Sequence, residues 1–146
     1  MSSILSRVKG LSKIRVNGKT IDLSEELGID ADAMEEEFSD HQDKVIFWNR
    51  LKNRALRSLR VTEENVRVQE SNRFIAYWDA FKEASREFSD GLVWAHVKTD
   101  VSVMAKRKEV RKAKLRYEDL RDICVAFEHR KSSLINVGKM QRDETL

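Results

Sequence analysis

Ten positions in the last third of the chain recur at alternating spacings of three and four: Val103, Lys106, Val110, Ala113, Tyr117, Leu120, Cys124, Phe127, Lys131 and Leu134. Eight of the ten are apolar, counting Tyr117 as nearly so. This period puts one side of an α-helix against apolar neighbours over about four heptads. From Val101 to Val137 such a helix is about 55 Å long, at 1.5 Å per residue. A compact domain of this size has a radius of gyration of only about 15 Å. The helix is therefore too long to be wrapped by a globule. It has to lie along an equally long partner, either the Met34–Phe88 region or another subunit. Ile123 and Ile135 widen the seam while Leu115 and Val125 point elsewhere, so neighbours are expected on several sides, in a bundle or an oligomer.

The rest of the chain is compatible with long helices. Among 146 residues there is no proline, where roughly seven would be ordinary at about 5% usage. Proline lacks an N–H and clashes with the preceding turn, so its absence leaves helix interiors unbroken. Asp30 or Asp32 is placed to cap a second long helix, with Glu35, Glu36 and Glu37 near the positive end of its dipole. Its apolar series is Met34, Phe38, His41, Val45, Trp48, Ala55 and Leu59, interrupted by Lys52. The pattern predicts a helix at least to Arg60 that continues through Val66 to about Phe88, with a kink or break at the β-branched pair Val61-Thr62. Ile75, Trp78, Phe81 and Phe88 end at Ser89-Asp90-Gly91, and Leu92–Lys98 reads equally as a turn of helix or a strand. Thr99 or Asp100 caps the last helix, and Gly138 is expected to end it as the residue after the C-cap.

The first 28 residues differ in kind. Alternating apolar residues from Ile14 to Ile21 surround Asn17-Gly18, the signature of a two-residue hairpin turn that needs φ > 0 twice. A lone hairpin is marginal in water, so this segment either docks or remains a mobile basic arm carrying Arg7, Lys9, Lys13, Arg15 and Lys19. The chain thus reads as an all-α, oligomeric protein of long coiled-coil or bundled helices with a small N-terminal arm or β-hairpin. Its expected divisions are a basic arm over 1–28, a helical nucleic-acid-binding region over 29–98, and an oligomerisation helix with its tail over 99–146. The oligomer interface is expected at Val103, Val110, Tyr117, Leu120, Cys124, Phe127 and Leu134.

The net charge of +3 conceals segregation. Ten acidic residues and no basic one lie between Ile21 and Asp43, six basic and no acidic ones between Lys44 and Arg60, and seven basic residues against Glu109 alone between Lys106 and Arg116. Such blocks create local fields that the net charge hides. A cationic groove follows phosphates, and aromatic rings stack on unpaired bases without reading sequence. The candidate nucleic-acid contacts are Arg54, Arg57, Arg60, Arg67, Arg73 and Tyr77 in the middle of the chain, with Lys106, Arg107, Lys108 and Arg111 near the start of the last helix. Solvation of an ordinary helix face accounts for the basic residues equally well, and burial in a core for the aromatics.

Other chemistry finds little footing. Zinc needs clustered Cys and His, and here one cysteine and three scattered histidines (His41, His96, His129) are present. No G-x-S-x-G, P-loop or G-x-G-x-x-G occurs, and Cys124 with His129 reads as a core thiol beside a surface imidazole. No catalytic residue, metal or cofactor is expected. With no run of 18 apolar residues, no membrane span is expected. Met1–Lys9 lacks a signal-peptide apolar region, and a single cysteine forms no intrachain disulfide, so a reducing cytoplasm is the expected compartment.

Over roughly Gly28–Val137 the chain resembles the UvsY-type recombination mediators of tailed phages. Asp30 opens the acidic helix, and Trp48 falls where the family carries a tryptophan. Arg73 with Tyr77 and Trp78 matches a basic-aromatic element, Lys98-Thr99-Asp100-Val101 the lead-in to the long helix, and Tyr117, Leu120, Cys124 and Leu134 that helix itself. Ser71 stands where the family has a lysine, a role that Arg67 or Arg54, Arg57 and Arg60 would take over. The resemblance implies single-stranded DNA binding, displacement of single-strand-binding protein, loading of a RecA-like recombinase, a host cytoplasm, and single rings of six or seven chains joined through the C-terminal helices. The competing reading is a structural or chaperone-like coiled-coil phage protein that binds no nucleic acid.

Overall fold

A computed structural model describes residues 13–145. It is 82% helical, which makes the chain all-α with one small hairpin. The order is β1 (Lys13–Val16), β2 (Lys19–Asp22), α1 (Leu23–Leu27), α2 (Met34–Glu83), α3 (Asp90–Thr99) and α4 (Val101–Glu144). Two compact units result, one from the residues up to Asn53 together with those from Glu118 onward, the other Arg54–Tyr117. Helices α2 and α4 each contribute to both units.

In the first unit the hairpin forms where the Asn-Gly pair predicts it. Asn17 (φ 50°) and Gly18 (φ 77°) are both left-handed, and Ile14 pairs with Ile21 and Val16 with Lys19. Alternation then decides the faces: Ile14 and Val16 are buried, Lys13 and Arg15 exposed. Leu23 at the start of α1 is buried as well. The hairpin is therefore docked rather than mobile; Arg7 and Lys9 lie outside the described residues. Trp48 of α2 stacks on Phe127 of α4 with ring centroids 6.1 Å apart. Around them Leu51, Leu120, Ile123, Ala126 and Leu134 are buried, each large side chain contributing about 1.5–3 kcal/mol.

Four of the seven residues expected at an oligomer interface, Val103, Leu120, Phe127 and Leu134, are thus buried by the chain itself. The long partner that the stripe requires is supplied from within the chain. Val110, Tyr117 and Cys124 are half-buried. Burial pushes the Cys124 thiol pKa up, opposed by the nearby Lys52 charge.

Three helix boundaries differ from expectation. Asp30 and Asp32 do not cap α2: Asp30 Oδ1 accepts the Asp32 N–H at 3.0 Å in a local turn, and the first helical bond runs from Glu37 N–H to the Ala33 carbonyl. Val61-Thr62 does not break α2, which runs on from Met34 to Glu83; the Thr62 hydroxyl donates back to the Leu59 carbonyl at 2.8 Å. Gly138 does not end α4. It sits inside the helix facing Phe38 and Met34, and the helix runs on to Glu144.

The first unit also contains a buried charge. The Arg130 guanidinium, 2% exposed, pairs with Glu37. It also donates to the Gly28 carbonyl at 3.0 Å and to His41 Nδ1 at 3.0 Å. Arginine has no acceptor, so His41 must accept through Nδ1 and is neutral there. Its pKa is depressed first by burial, then by the charges of Arg130, Lys131 and Lys44. No helix among the described residues is long and apolar enough to cross a membrane.

Candidate nucleic-acid interface

The second unit, Arg54–Tyr117, combines the latter part of α2, all of α3 and the start of α4. Its joint is Asp100, between α3 and α4. One carboxylate oxygen caps α4, accepting the Ser102 N–H at 2.9 Å and the Val103 N–H at 3.3 Å, as well as the Ser102 hydroxyl. The other accepts Arg73 Nε at 3.0 Å and the Tyr77 hydroxyl at 2.7 Å. Bonds from Ser102 and Tyr77, then the Val103 N–H and the Arg73 charge, hold Asp100 well below the usual carboxylate range, against the opposing effect of burial. The Arg73 guanidinium also sits 5.0 Å over the Tyr77 ring. Arg73 and Tyr77 are therefore engaged in holding α2 to the α3–α4 joint.

The basic residues that remain fall into two sets. A groove of about 400 Å³ is lined by Glu63, Val66 and Arg67 of α2 and by Arg107, Val110 and Arg111 of α4. Two basic stretches far apart in sequence meet here. Arg60 precedes Arg67 by seven residues, two helical turns, and so shares its face; Lys114 extends the Arg107–Arg111 ridge by a turn in the same way. Arg57 and Arg54 lie progressively farther round α2, by about 60° each at 100° per residue, and Lys108 is about 100° from Arg107. Lys106 pairs with Glu109 at 3.7 Å.

Charge in the groove is partly balanced. Arg107 donates to Glu70 at 2.7 Å and Arg67 reaches Glu64 at 3.4 Å. The second pair is exposed on both sides, a type worth about 0–1 kcal/mol and readily exchanged for phosphate. Arg60, Arg111 and Lys114 make no hydrogen bond or ion pair among the described residues.

Beyond Arg67 along α2 comes an aromatic cluster. Phe74 lies between Trp94 of α3, at 4.7 Å and 38°, and Trp78, at 6.1 Å and 25°. Phe88 closes the far side of Trp78 edge-on at 4.7 Å. Trp94 was missed from sequence because Leu92–Lys98 had no decisive period; it is a helix, capped by the Ser89 hydroxyl. Asp100 was legible as a cap, whereas its bonds to Arg73 and Tyr77 span 27 and 23 residues and left no local signal.

No protein-family model matches the chain, and no curated protein or solved structure was found to match it either.

Proposed function

We propose that this protein binds single-stranded DNA through the groove of its second unit and acts as a recombination mediator, displacing single-strand-binding protein and loading a RecA-like recombinase. One observation carries the binding: Arg67, Arg107 and Arg111, brought from two helices into one groove, with Arg60 and Lys114 in line with them. A row of guanidinium groups neutralises successive phosphates and releases their counterions, which yields affinity without base specificity. The mediator role rests on the UvsY-like pattern of the sequence. An oligomer belongs to the same reading, because repeated weak sites gain avidity along one strand. Its surface has to come from residues the chain leaves exposed. Val61 and Val68 lie seven residues apart along α2 and stay 59% and 50% exposed, the spacing of a coiled-coil seam.

The pairing of Arg107 with Glu70 favours a second reading, a structural coiled-coil protein whose arginines serve its own fold. Replacing Arg60, Arg67 and Arg111 together by Ala separates the two. The mediator reading expects weaker binding of a labelled oligonucleotide with helicity unchanged. Undiminished binding by the triple variant would remove the groove from the account.

A further inference from the structure

We propose that the Trp94–Phe74–Trp78 stack is a platform for unpaired nucleobases. The proposal rests on the nucleic-acid reading above and adds the group that the aromatic side of the site recognises. Amphipathic helices ordinarily turn their largest aromatics inward. Here α3 buries its valines, Val93 and Val97, completely and leaves Trp94 40% exposed, while Trp78 of α2 is 37% exposed. Phe74 is stacked at 25° on Trp78 and tilted at 38° to Trp94; with Phe88 edge-on to Trp78, the Trp94 end is the one that a further flat ring can extend.

A cavity of about 340 Å³ adjoins the stack, lined by Phe74, Ile75, Trp78 and Asp90. No cation lines it, so it repels phosphate and suits a flat, neutral group with π faces. Asp90 is placed at its edge to accept from a base N–H, such as thymine N3–H. Phosphate is accommodated next door. Arg60, Arg67 and Phe74 succeed one another at seven-residue intervals, so the cationic line on α2 leads directly to the ring. Arg67 and Phe74 are about 10.5 Å apart along the helix axis, about three nucleotides at 3.4 Å each. A strand whose phosphates follow the arginines brings its bases to the rings. A duplex does not, because the faces of its bases are already stacked.

Tryptophan emission tests this. Trp48 is fully buried in the other unit, so a ligand on the platform affects Trp78 and Trp94. The intact protein is titrated with an oligothymidylate, with an abasic strand of equal length and phosphate count, and with a duplex. The platform predicts that oligothymidylate quenches emission and binds at least about fivefold more tightly than the abasic strand, the low end of one base–aromatic stack. The variant Trp78→Leu/Trp94→Leu, checked for unchanged helicity, should lose that advantage while keeping its affinity for the abasic strand; Trp94→Phe should retain most of it. Equal binding of the two strands with unchanged emission would overturn the platform and leave the arginine groove standing, and that comparison needs no substitution. Failure of every probe to bind would remove both proposals.

Discussion

Replacing Arg130 by Met should destabilise the first unit by about 3 kcal/mol. The guanidinium is almost wholly enclosed and satisfies three acceptors: the Glu37 carboxylate, the Gly28 carbonyl and His41 Nδ1. A hydrogen bond to a charged group contributes about 1.5–3 kcal/mol, so the gross loss is large. Against it stands the desolvation that the buried cation no longer suffers. Removing one partner of a buried pair typically costs about 3–5 kcal/mol net. The lower end applies because the Glu37 side chain is 18% exposed and recovers some hydration. With a urea slope of about 2 kcal/mol/M, the unfolding midpoint followed by far-ultraviolet circular dichroism should fall by about 1.5 M. The double variant Arg130→Met/Glu37→Leu should recover part of the loss, since it leaves no unpaired buried charge. A single-variant shift under about 0.3 M would refute the reasoning, and so would a double variant less stable than Arg130→Met alone.

His41 gives stability a pH dependence of known sign. Its native pKa is lowered from 6.5, so the unfolded chain takes up this proton at higher pH than the folded one. Stability is therefore full above about pH 6.5 and falls on acidification below it; His41→Gln should flatten that fall, and a urea midpoint that rises between about pH 7.5 and about pH 5.5 would contradict the assignment. Gly18→Val forces a β-branched residue to a φ of 77° and should lower the melting temperature through a strain of about 1–2 kcal/mol, with Gly18→Asn far milder; equal melting of the two would place the turn wrongly. Val61→Asp/Val68→Asp should reduce the mass seen by light scattering while leaving helicity intact, whereas Leu120→Asp should unfold the chain; an unchanged mass in the double variant would move the seam elsewhere.

The sequence revealed features set by local geometry. Asn17-Gly18 can take two successive left-handed residues, and that alone determined the hairpin and its register. The stripe from Val103 to Leu134 determined a long helix and its buried side. What covers that side was not legible, because apolar period specifies burial and not the partner; Trp48 on Phe127 supplies it from within the chain. Gly138 and Val61-Thr62 misled for one reason. Propensity is worth about 1 kcal/mol or less per residue, and packing of the kind that sets Gly138 beside Phe38 outweighs it. The end of α2 was hidden in the opposite way, since the left-handed residue that terminates it is Ser85 rather than a glycine. Within the candidate site the individual arginines were readable as charges. Which of them converge was not, because Arg67 and Arg107 are brought together only by the side-by-side course of α2 and α4 in the second unit.

The central claim is that Arg60, Arg67 and Arg111 meet phosphates, and the salt dependence of binding tests it most directly. The slope of log affinity against log salt is about −0.7 per phosphate neutralised on a single strand. The affinity of the parent protein for a single-stranded oligonucleotide should fall steeply and linearly on that plot. Removing three contacts by Arg60→Ala/Arg67→Ala/Arg111→Ala should flatten the slope by about 2, since each arginine accounts for about 0.7. Two parallel lines, or affinity independent of salt in the parent, would contradict the account.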